Sequence, residues 1–401
     1  MNAEVKPGYK LTEVGVIPED WECTTVQGIA SSVRNAIVGG PFGSDLVSYD
    51  YVSYGVPVIR GQNMGTRWVS GAFVFVSNAK ADSLESNLAH PFDLIFTQRG
   101  TLGQVSQVPE KLFDRYLVSQ SQMKLTLNRK IADPNFFYYV FSSKGQQELI
   151  QKNTIQTGIP HINLGILRTL PVQRPTYLEQ RAIAEALSDA DALIESLEQL
   201  ITKKRQIKQG AMQELLTGKK RLPGFSGEWE VKKLGDVVKI SKGQLITEKN
   251  AISGDIPVIA GGKKPAYFHN NSNRTGKTIT VSASGASAGY VAFFDEPIFA
   301  SDCSTISEGD GYSIEFIYSQ FQLKQDIIYK AQTGGAQPHI HAVDLRPIEI
   351  GVPTLSEQQA IAIIFSDMGV EIDVLEGKLG KALQLKQGMM HNLLTGKIRV
   401  V

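Results

Sequence analysis

Three histidines are the residues of this sequence that come nearest to a metal site. His161 and His339 each follow a proline, and His341 lies two residues after His339. Imidazole nitrogens bind zinc, but a zinc site needs further cysteine, histidine or carboxylate ligands, and no such cluster accompanies these residues. We therefore expect the histidines to support the local structure or to contact the backbone, and we predict that the chain binds no metal.

Two glutamates, Glu179 and Glu357, could act as general acids. Each lies three residues after a threonine, Thr176 or Thr354, and this spacing is that of a capping box at the start of a helix. The capping box is sufficient to explain both carboxylates, so we expect neither to be catalytic.

The triplet at residues 217–219, Thr-Gly-Lys, superficially resembles the end of a phosphate-binding loop. The first glycine of such a loop is absent, since Gln213 stands in its place, and a predicted helix rather than a strand precedes the triplet. The sequence also has no Ser/His/Asp or Cys/His arrangement, no Walker A motif and no adenine-methyltransferase tetrapeptide such as NPPF or DPPY. We predict that the chain is not an enzyme and that any catalysis takes place in partner chains.

The composition is that of an ordinary globular chain. Its 401 residues allow two or three domains, and 41 basic against 40 acidic residues give a net charge of +1. This near-neutral charge argues weakly against a protein that binds nucleic acid unaided, since such domains are usually strongly basic. Cys23 and Cys303 cannot form a disulfide framework, and the first residues lack the apolar core of a signal peptide, so we expect a cytoplasmic location.

A long internal repeat organises the sequence. Residues 175–222 recur without a gap at residues 353–400, and about half of the paired positions are identical. Both copies open on PT-x2-EQ-x-AIA and close on LLTGK-x-R. Such a repeat indicates that one architectural unit is used twice, so we expect near two-fold internal symmetry and a target with two related sites.

The repeated segments have the pattern of long helices that pair with each other. Apolar residues recur at alternating spacings of four and three, as in the seam of a coiled coil. Lys208 and Lys386 interrupt the pattern at the same place in each copy, where we expect Ile207 and Leu385 to take over the packing. The predicted seam residues are Ile183, Leu187, Ile194, Leu197, Ile201, Ile361, Phe365, Ile372, Leu375 and Leu379.

Each predicted helix has an end signal as well as a start signal. Gly218 and Gly396 stand where a left-handed C-cap belongs. A helix of roughly 40 residues is about 60 Å long at 1.5 Å per residue. Neither helix can bury its apolar stripe alone, so the simplest arrangement pairs the two.

The segments outside the repeats read as two globular heads. Residues 20–169 and 228–347 are rich in Gly, Ser, Asn and aromatic residues, with short strand-like runs at, for example, residues 56–60 and 256–260. Both segments have a Trp-Glu pair near their start and Pro-His-Ile near their end. Because the middle parts diverge while this framework is kept, we expect two related heads with different specificities.

The framework closely resembles the specificity subunit of type I restriction–modification systems. The similarity lies in the entry YKLTEVGVIPEDWE (residues 9–22), the junction LLTGKKRLPGFSGEWE (residues 215–230), the terminal LLTGKIR and the PT-x2-EQ helix starts. It covers the whole chain in that family's order: variable region, conserved helix, variable region, conserved helix. Each motif is weak alone, but their combination is highly specific.

The resemblance implies an α+β protein in four parts. These are a first target-recognition domain (residues 1–169), a first conserved helix (170–222), a second target-recognition domain (223–347) and a second conserved helix (348–401). The helices are expected to form an antiparallel coiled coil with internal pseudo-two-fold symmetry. An antiparallel pair places the heads at opposite ends, which suits DNA half-sites one helical turn, about 34–36 Å, apart.

The same resemblance implies a function. Each domain would read one half of a bipartite sequence in double-stranded DNA, and the paired helices would set the spacer and dock two modification subunits. Those methyltransferase subunits would use S-adenosylmethionine, and restriction subunits would use ATP and Mg for translocation and cleavage. No cofactor is expected on this chain itself, and the modification subunits could supply much of the phosphate binding that a near-neutral chain lacks.

Side chains that read DNA donate to or accept from base edges and phosphates. A solvated turn, an internal ion pair or a turn-forming hydroxyl is the structural alternative for each candidate. In the first head the candidates follow predicted strands: Arg60, Gln62, Asn63, Gln98, Arg99 and Gln120. In the second head the corresponding loops offer Lys263, Lys264, Ser284 and Ser287.

Other interpretations remain open at this point. The basic run Lys203, Lys204, Arg205 and Lys208 could face DNA between the half-sites, face an acidic partner, or be a plain solvated helix surface. For the chain as a whole, the main competitor is a two-headed coiled-coil scaffold that binds proteins rather than DNA. A self-contained enzyme is the third possibility, and the missing catalytic motifs disfavour it.

Overall fold

The computed structural model of the protein describes residues 6–156, 160–334 and 337–400. The chain forms two compact units: unit 1 comprises Met1–Glu195 and Gly380–Val401, and unit 2 comprises Ser196–Leu379. Each unit therefore combines one globular head with a part of both long helices. The four-part division made from the sequence follows the repeat instead, and it stays a prediction. None of the described helices is long and apolar enough to cross a membrane.

The head of unit 1 is built from short strands and short helices. Its strands are β1 (Tyr9–Thr12), β2 (Gly15–Pro18), β3 (Glu22–Thr25), β4 (Ile37–Gly39), β5 (Tyr51–Val52), β6 (Val56–Ile59), β7 (Val74–Val76), β8 (Leu88–Ala89), β9 (Leu94–Thr97), β10 (Val105–Gln107), β11 (Tyr116–Val118), β12 (Gln122–Leu125) and β13 (Pro171–Arg174). Its helices are α1 (Val26–Ile29), α2 (Asn78–Ser83), α3 (Pro134–Ser142), α4 (Lys144–Lys152) and α5 (Leu164–Thr169). The first long helix, α6 (Tyr177–Leu215), begins in this unit.

The strands of unit 1 form two main sheets. One is antiparallel with the order β10-β9-β12-β4, and the other has the order β5-β7-β6-β11-β8. Within the second sheet, β6 and β11 run parallel, with Ile59 beside Val118. The parallel pair is what brings the ends of β6 and β11 to the same edge, where several of the predicted DNA-reading residues follow.

The head of unit 2 is smaller. Its strands are β14 (Glu230–Lys233), β15 (Ser241–Lys242), β16 (Ile256–Ile259), β17 (Tyr267–His269), β18 (Thr278–Ser282), β19 (Val291–Phe294), β20 (Phe299–Ala300), β21 (Cys303–Ser307) and β22 (Glu349–Val352). Its helices are α7 (Leu234–Val237), α8 (Ile314–Leu323), α9 (Gln325–Lys330) and α10 (Ala342–Leu345), and the second long helix, α11 (Leu355–Leu394), begins here.

Both heads have the same strand topology. In unit 2 the order β19-β18-β21-β15 matches β10-β9-β12-β4 of unit 1, and β17-β16-β20 matches the β7-β6-β11 core of the second sheet. The parallel pair recurs as well, with Ile259 of β16 beside Ala300 of β20. Unit 1 adds β5 and β8 at the edges of this sheet. The predicted pair of related α+β heads is therefore confirmed.

The long helices run antiparallel in each unit. In unit 1, Ile183 and Leu187 near the start of α6 share a core with Leu393 and Leu394 at the end of α11. In unit 2, residues near the end of α6 share a core with the start of α11; these are Met212, Leu215, Ile361 and Phe365. Nine of the ten predicted seam residues are buried, and Leu379 is half-buried.

The prediction for the interrupted part of the seam is wrong. Ile207 and Leu385 point away from the helix pair, with exposed fractions of 46% and 61%. Lys208 and Lys386 remain half-buried at the positions where the apolar pattern breaks. A lysine can occupy such a position because its methylene stem packs on apolar neighbours while its ammonium reaches a polar group.

The capping-box prediction is half correct. The hydroxyl oxygens of Thr176 and Thr354 accept hydrogen bonds from the backbone N–H groups of Glu179 and Glu357, at 3.3 and 3.4 Å. The two carboxylates, however, are buried and bind arginine side chains from the other copy of the repeat. The repeated glutamate therefore joins the two copies, which spacing within one copy does not reveal.

In unit 2 this joint is a bidentate ion pair between Arg221 and Glu357. Nε of Arg221 donates to one carboxylate oxygen and Nη2 to the other, both at 2.6 Å. The guanidinium lies over the ring of Trp229, 5.6 Å from its centroid. Because Arg221 closes the first copy and Glu357 opens the second, the pair binds the end of α6 to the start of α11.

In unit 1 the same joint is built from Arg399 and Glu179. The guanidinium donates to both oxygens of Glu179 and also to the carboxylate of Asp20. Nε1 of Trp21 donates to Glu179 at 3.0 Å, and the guanidinium lies over the Trp21 ring. The shared LLTGK-x-R and PT-x2-EQ motifs are thus the two halves of a clamp that occurs once in each unit.

The glutamine that follows each clamp glutamate fastens the head to the helix pair. The side-chain oxygen of Gln180 accepts from the backbone N–H of Asp133, which caps α3, at 2.8 Å. In the same way Gln358 accepts from the N–H of Ser313, which caps α8, at 3.0 Å. The EQ dipeptide therefore makes two attachments, the glutamate to the other repeat copy and the glutamine to the head.

The clamp can be tested by removing its arginine in unit 1. We expect Arg399→Met to lower the free energy of unfolding by about 2–3 kcal/mol, because it leaves the buried Glu179 carboxylate without its cation. This is less than the roughly 3–5 kcal/mol usual for a fully buried pair, since Arg399 is itself about a third exposed. Chemical denaturation measures the change. The double variant Arg399→Met/Glu179→Gln should recover part of the loss.

The matched control is Arg205→Met, which breaks an exposed pair with Glu376 in unit 2. It should change the free energy of unfolding by no more than about 1 kcal/mol. Equal effects of the Arg399 and Arg205 variants would contradict a structural role for the clamp.

The two C-cap glycines provide a second stability test. Gly218 and Gly396 have φ values of +70° and +67°, so the predicted left-handed caps are confirmed. A methyl group at Gly396 would also collide with the ring of Pro18, whereas at Gly218 it would only touch the ring of Trp229. We expect Gly218→Ala to cost about 1 kcal/mol and Gly396→Ala about 2 kcal/mol or more. Thermal unfolding that ranks them in the opposite order would refute this account.

Candidate nucleic-acid interface

In unit 1 the predicted DNA-reading loops converge at the ends of β6, β9 and β11. The backbone N–H of Ser119, just after β11, donates to the carbonyl of Ile59 at 3.0 Å. The N–H of Gln98, just after β9, donates to the carbonyl of Ser121 at 2.8 Å. These bonds bring residues 60–63, 98–103 and 119–121 together on one edge of the head.

The loop after β6 is held by Asn63, which is buried. Its side-chain oxygen accepts from the N–H of Arg60 at 3.1 Å, and its amide nitrogen donates to the carbonyls of Ser70 and Ala72. Both amide hydrogens are therefore used inside the loop. Asn63 therefore supports the loop from inside, and its side chain does not reach the surface.

The other candidates of unit 1 differ in how far they reach solvent. Arg99, Gln120 and Gln62 are exposed, and the amide of Gln62 donates to the carbonyl of Ala72 at 3.1 Å. Arg60 and Gln98 are half-buried, and Nε of Arg60 is buried without a hydrogen-bond partner in the described part of the chain. Arg99 and Gln120 thus present the freest side chains on this edge.

His161 holds the loop after β9 through its backbone. It forms an antiparallel bridge with Arg99, and the N–H of the next residue, Ile162, donates to the carbonyl of Gln98 at 3.2 Å. His339 bridges Ser284 in the same way in unit 2. The main chains of His161 and His339 therefore contact the neighbouring loops, which agrees with the expected backbone contact for these two residues.

Unit 2 repeats this loop arrangement with different side chains. The N–H of Ser301, after β20, donates to the carbonyl of Ile259 at 2.8 Å, and the N–H of Ala283, after β18, donates to the carbonyl of Asp302 at 3.1 Å. The loops after β16 and β18 therefore meet at one edge. They carry the four candidates of this head: Lys263, Lys264, Ser284 and Ser287.

The candidates of unit 2 are of two kinds. Lys263 and Lys264 are exposed, and the ammonium of Lys263 lies 5.5 Å from the centroid of the Tyr290 ring. Ser284 and Ser287 are half-buried, and the Ser284 hydroxyl donates to the Asp302 carboxylate. The lysines can reach an external anion, whereas Ser284 already serves the turn.

The loop edges offer recognition chemistry. In residues 6–156, 160–334 and 337–400, no three or more His, Cys, Asp or Glu side chains are grouped so as to hold a metal ion. Cys303 lies at the start of β21, where burial raises the pKa of its thiol to about 12, so it is not a thiolate nucleophile near neutral pH. Hydrogen bonds and ion pairs to an external partner are what these edges can form.

The basic run on α6 is mostly engaged within unit 2. Lys204 pairs with Glu371 and Arg205 with Glu376, each at 2.6 Å, while Lys203 is exposed. These pairs lie on the helix surface, so the run has only a modest cationic excess available to an outside ligand.

Two sets of residues were missed by the sequence analysis. Phe42, Tyr49 and Tyr54 are more than four-fifths exposed on the segment that follows β4, and their aromatic character within a Gly/Ser/Asp-rich stretch was an available signal. Arg67, in the loop after β6, contacts Tyr139, Asn135 and Asp191. Its partners are distant in sequence, so no local pattern could have identified it.

A comparison with protein families gives a match over both repeats. The family described as "Type I restriction modification DNA specificity domain" matches residues 18–209 and 226–384. The matched segments each contain one head and most of the helix that follows it. Both PT-x2-EQ helix starts lie within the matched residues, and the entry (residues 9–22) and the junction (residues 215–230) overlap their ends, whereas the terminal LLTGKIR lies beyond them.

Individual proteins resemble the chain over nearly its full length. The type I restriction enzyme MjaVIII specificity subunit of Methanocaldococcus jannaschii is 24% identical over 96% of this chain and 94% of its own length. A crystal structure of the type I restriction–modification S subunit of M. genitalium superposes with a TM-score of 0.66 at 18% identity, covering 96% of this chain and 98% of that one. A chain from a study of complex assembly and conformational transition of the type I system has a TM-score of 0.55 at 16% identity, covering 95% of this chain and 99% of its own.

The different placements of Arg99 and Asn63 predict different effects on binding and stability. We expect Arg99→Ala to leave the free energy of unfolding within about 0.5 kcal/mol of wild type while weakening specific DNA binding by about 1–2 kcal/mol. Asn63→Ala should instead cost about 1–3 kcal/mol of stability, because it leaves buried backbone groups without partners. Binding is measured by titration in the presence of modification subunits, and a destabilised Arg99→Ala variant with normal binding would contradict the assignment.

Proposed function

Because the chain belongs to the type I restriction–modification DNA specificity family, and so recognises DNA sequence within such a complex, we propose that each unit reads one half of a bipartite site. The observation that carries this proposal is the repeated loop edge. The same strands, bridges and backbone bonds present Arg60 and Arg99 in unit 1 but Lys263, Lys264 and Ser284 in unit 2. A common frame with different side chains suits two half-sites of different sequence.

The choice of side chains suggests how the halves differ. Arginine can form two parallel hydrogen bonds to guanine, whereas lysine acts as a more compact cation on phosphates or on a single acceptor. Unit 1 has exposed Arg99 together with the amides of Gln62 and Gln120. The proposal therefore gives unit 1 the greater share of direct base reading and unit 2 the greater share of phosphate contact.

We further propose that the paired helices set the spacer and dock two modification subunits. Apolar side chains are exposed on the outer faces of both helices, away from the seam. In unit 1 they are Leu178, Leu193, Leu383 and Leu385, and in unit 2 they are Leu200, Ile207, Ile363, Val370 and Val374. Exposed apolar surface of this extent supports contact with a protein partner, and its presence in both units fits one modification subunit for each.

The catalytic steps are proposed to belong to the partners. Methylation with S-adenosylmethionine would take place in the modification subunits, and ATP- and Mg-dependent cleavage in restriction subunits. The near-neutral charge of this chain supports the same division, since the partners could supply much of the phosphate binding.

The direct test is to reconstitute the chain with its modification subunits and to map methylated adenines on random-sequence DNA. The expected product is methylation at one bipartite motif with a fixed spacer, and none from either component alone. Equal binding to all duplexes with no methylation at any bipartite motif would reject DNA reading in favour of a protein-binding scaffold.

The spacer role gives a sharper prediction. Inserting four residues after Gln199 lengthens α6 by about 6 Å, so the tolerated spacer should change while both half-sites stay the same. The methylated motif, mapped as above, reports both features at once. Exchange of residues 25–155 for those of another family member serves as the complementary control, since it should alter one half-site only. An unchanged spacer in the insertion variant would count against the helices as a ruler.

A further inference from the structure

The loop after β6 in unit 1 is closed by hydrogen bonds between its own residues. Besides the bonds of the Asn63 side chain, the N–H of Ser70 donates to the carbonyl of Asn63 at 3.0 Å, and Met64 bridges Val69. The N–H of Gln107 donates to the carbonyl of Arg67 at 2.7 Å, which joins the loop to β10. Residues 60–70 are therefore joined by their own hydrogen bonds, with the candidate reading residues at one end and Arg67 near the other.

The side chain of Arg67 connects this loop to α3 by hydrogen bonds. Its Nη1 donates to the hydroxyl of Tyr139 at 2.9 Å and its Nη2 to the side-chain oxygen of Asn135 at 3.1 Å. The guanidinium also lies over the rings of Trp68 and Tyr139, at 4.6 and 5.2 Å from the centroids. Only 15% of the side chain is exposed, so Arg67 is committed to internal contacts.

The same contacts continue into both long helices. The hydroxyl of Tyr139 donates to Asp191 of α6 at 2.7 Å, and Nη1 of Arg67 lies 3.7 Å from that carboxylate. Asp191 in turn pairs with Lys386 of α11, whose ammonium lies 5.9 Å from the centroid of the Tyr139 ring. Arg67, Tyr139, Asp191 and Lys386, here called the corner network, thus connect the loop to α6 and α11 within unit 1.

Unit 2 lacks the corner network at the equivalent positions of the repeat. Lys208 takes the place of Lys386, but Gly369 stands where the first copy has Asp191. A methyl group on Gly369 would lie 3.4 Å from the ammonium of Lys208, so the carboxylate is missing just where Lys208 points. Burial lowers the pKa of Lys208, and the neighbouring Asp373 carboxylate acts in the opposite direction.

An open groove lies at this place in unit 2. It has a volume of about 550 Å³ and is lined by both long helices and by the α8–α9 corner, with Lys208, Gly369 and Gln322 among its walls. No polar chain of contacts like the corner network crosses it in the described part of unit 2. The repeat thus supplies an internal comparison in which one head is braced at this corner and the other is not.

We infer that Arg67 is a positioning residue that fixes the angle at which the first reading loop is held on the paired helices. It does so through Asp191 and Lys386, without touching DNA itself. A head that can tilt on the helices would accept half-sites at more than one distance. The contacts of the corner network restrict this tilt, so they increase discrimination between spacer lengths. This inference rests on the proposed function, because it needs a bipartite site whose spacer is set by the helices.

The test compares spacer discrimination in the reconstituted complex. The measured quantity is a ratio of two Kd values. The first is Kd for a duplex with one extra base pair in the spacer, and the second is Kd for a duplex with the bipartite motif that the complex methylates. Arg67→Met and Asp191→Asn should each lower this ratio by about three-fold or more. Because both residues act through one network, the ratio of the double variant should be no lower than that of Arg67→Met. Arg67→Lys keeps the positive charge but loses the two guanidinium nitrogens that bind Tyr139 and Asn135, so it should give an intermediate ratio.

Salt dependence separates positioning from direct contact. Loss of a phosphate contact lowers the slope of log Kd against log salt by about one, whereas the Arg67→Met slope should equal that of wild type. The matched control is Arg115→Met, which removes an arginine paired with Asp82 elsewhere in unit 1 and should leave the ratio unchanged. Thermal unfolding monitors each variant, and Asp191→Asn provides the milder perturbation if Arg67→Met fails to fold.

The outcomes distinguish the inference from the proposed function. If wild type discriminates between spacers while Arg67→Met and Asp191→Asn discriminate equally well, the positioning role is wrong and the proposed function stands. If Arg67→Met lowers the slope of log Kd against log salt by about one, Arg67 contacts DNA directly and the positioning role is wrong. If wild type itself shows no bipartite, spacer-dependent binding, the proposed function fails and the inference falls with it.

Discussion

The buried glutamate at the start of each long helix is the constraint on which the rest of the structure depends. Glu179 and Glu357 are almost fully inaccessible to solvent, and a carboxylate in such a place is stable only when a cation and further donors surround it. The cation comes in each case from the end of the other repeat copy, Arg399 or Arg221. The clamp therefore brings the start of one long helix to the end of the other, and the antiparallel pairing follows.

The same frame holds the variable parts of the molecule. The glutamine beside each clamp glutamate binds the residue that caps a head helix, and the head packs its strands against that helix. Since both heads have one topology, their loops after β6 and β9, or after β16 and β18, emerge at the same kind of edge. A constant frame with variable loop side chains is how a single fold can be directed at two different half-sites.

The symmetry of the frame is incomplete, and the departure is local. Asp191 and Gly369 occupy the same place in the two copies, yet only the first completes a chain of polar contacts between reading loop and helices. The carboxylate of Asp191 has no counterpart at Gly369, and an open groove lies at this corner of unit 2. If each unit reads one half of a bipartite site, as proposed, the two halves would then be held by different contacts.

The sequence by itself determined the long helices, their seam, their glycine caps and the existence of two related heads, because periodicity, capping and repetition are written in neighbouring residues. It also placed the candidate DNA-reading residues in loops, since these follow strands that local pattern predicts. Only the tertiary structure decided that Glu179 binds Arg399, that Ile207 and Leu385 are exposed, and that Asn63 lies inside its loop. Those outcomes depend on which surfaces meet when distant segments pack, and the partner of a buried charge cannot be read from its own neighbours in the chain.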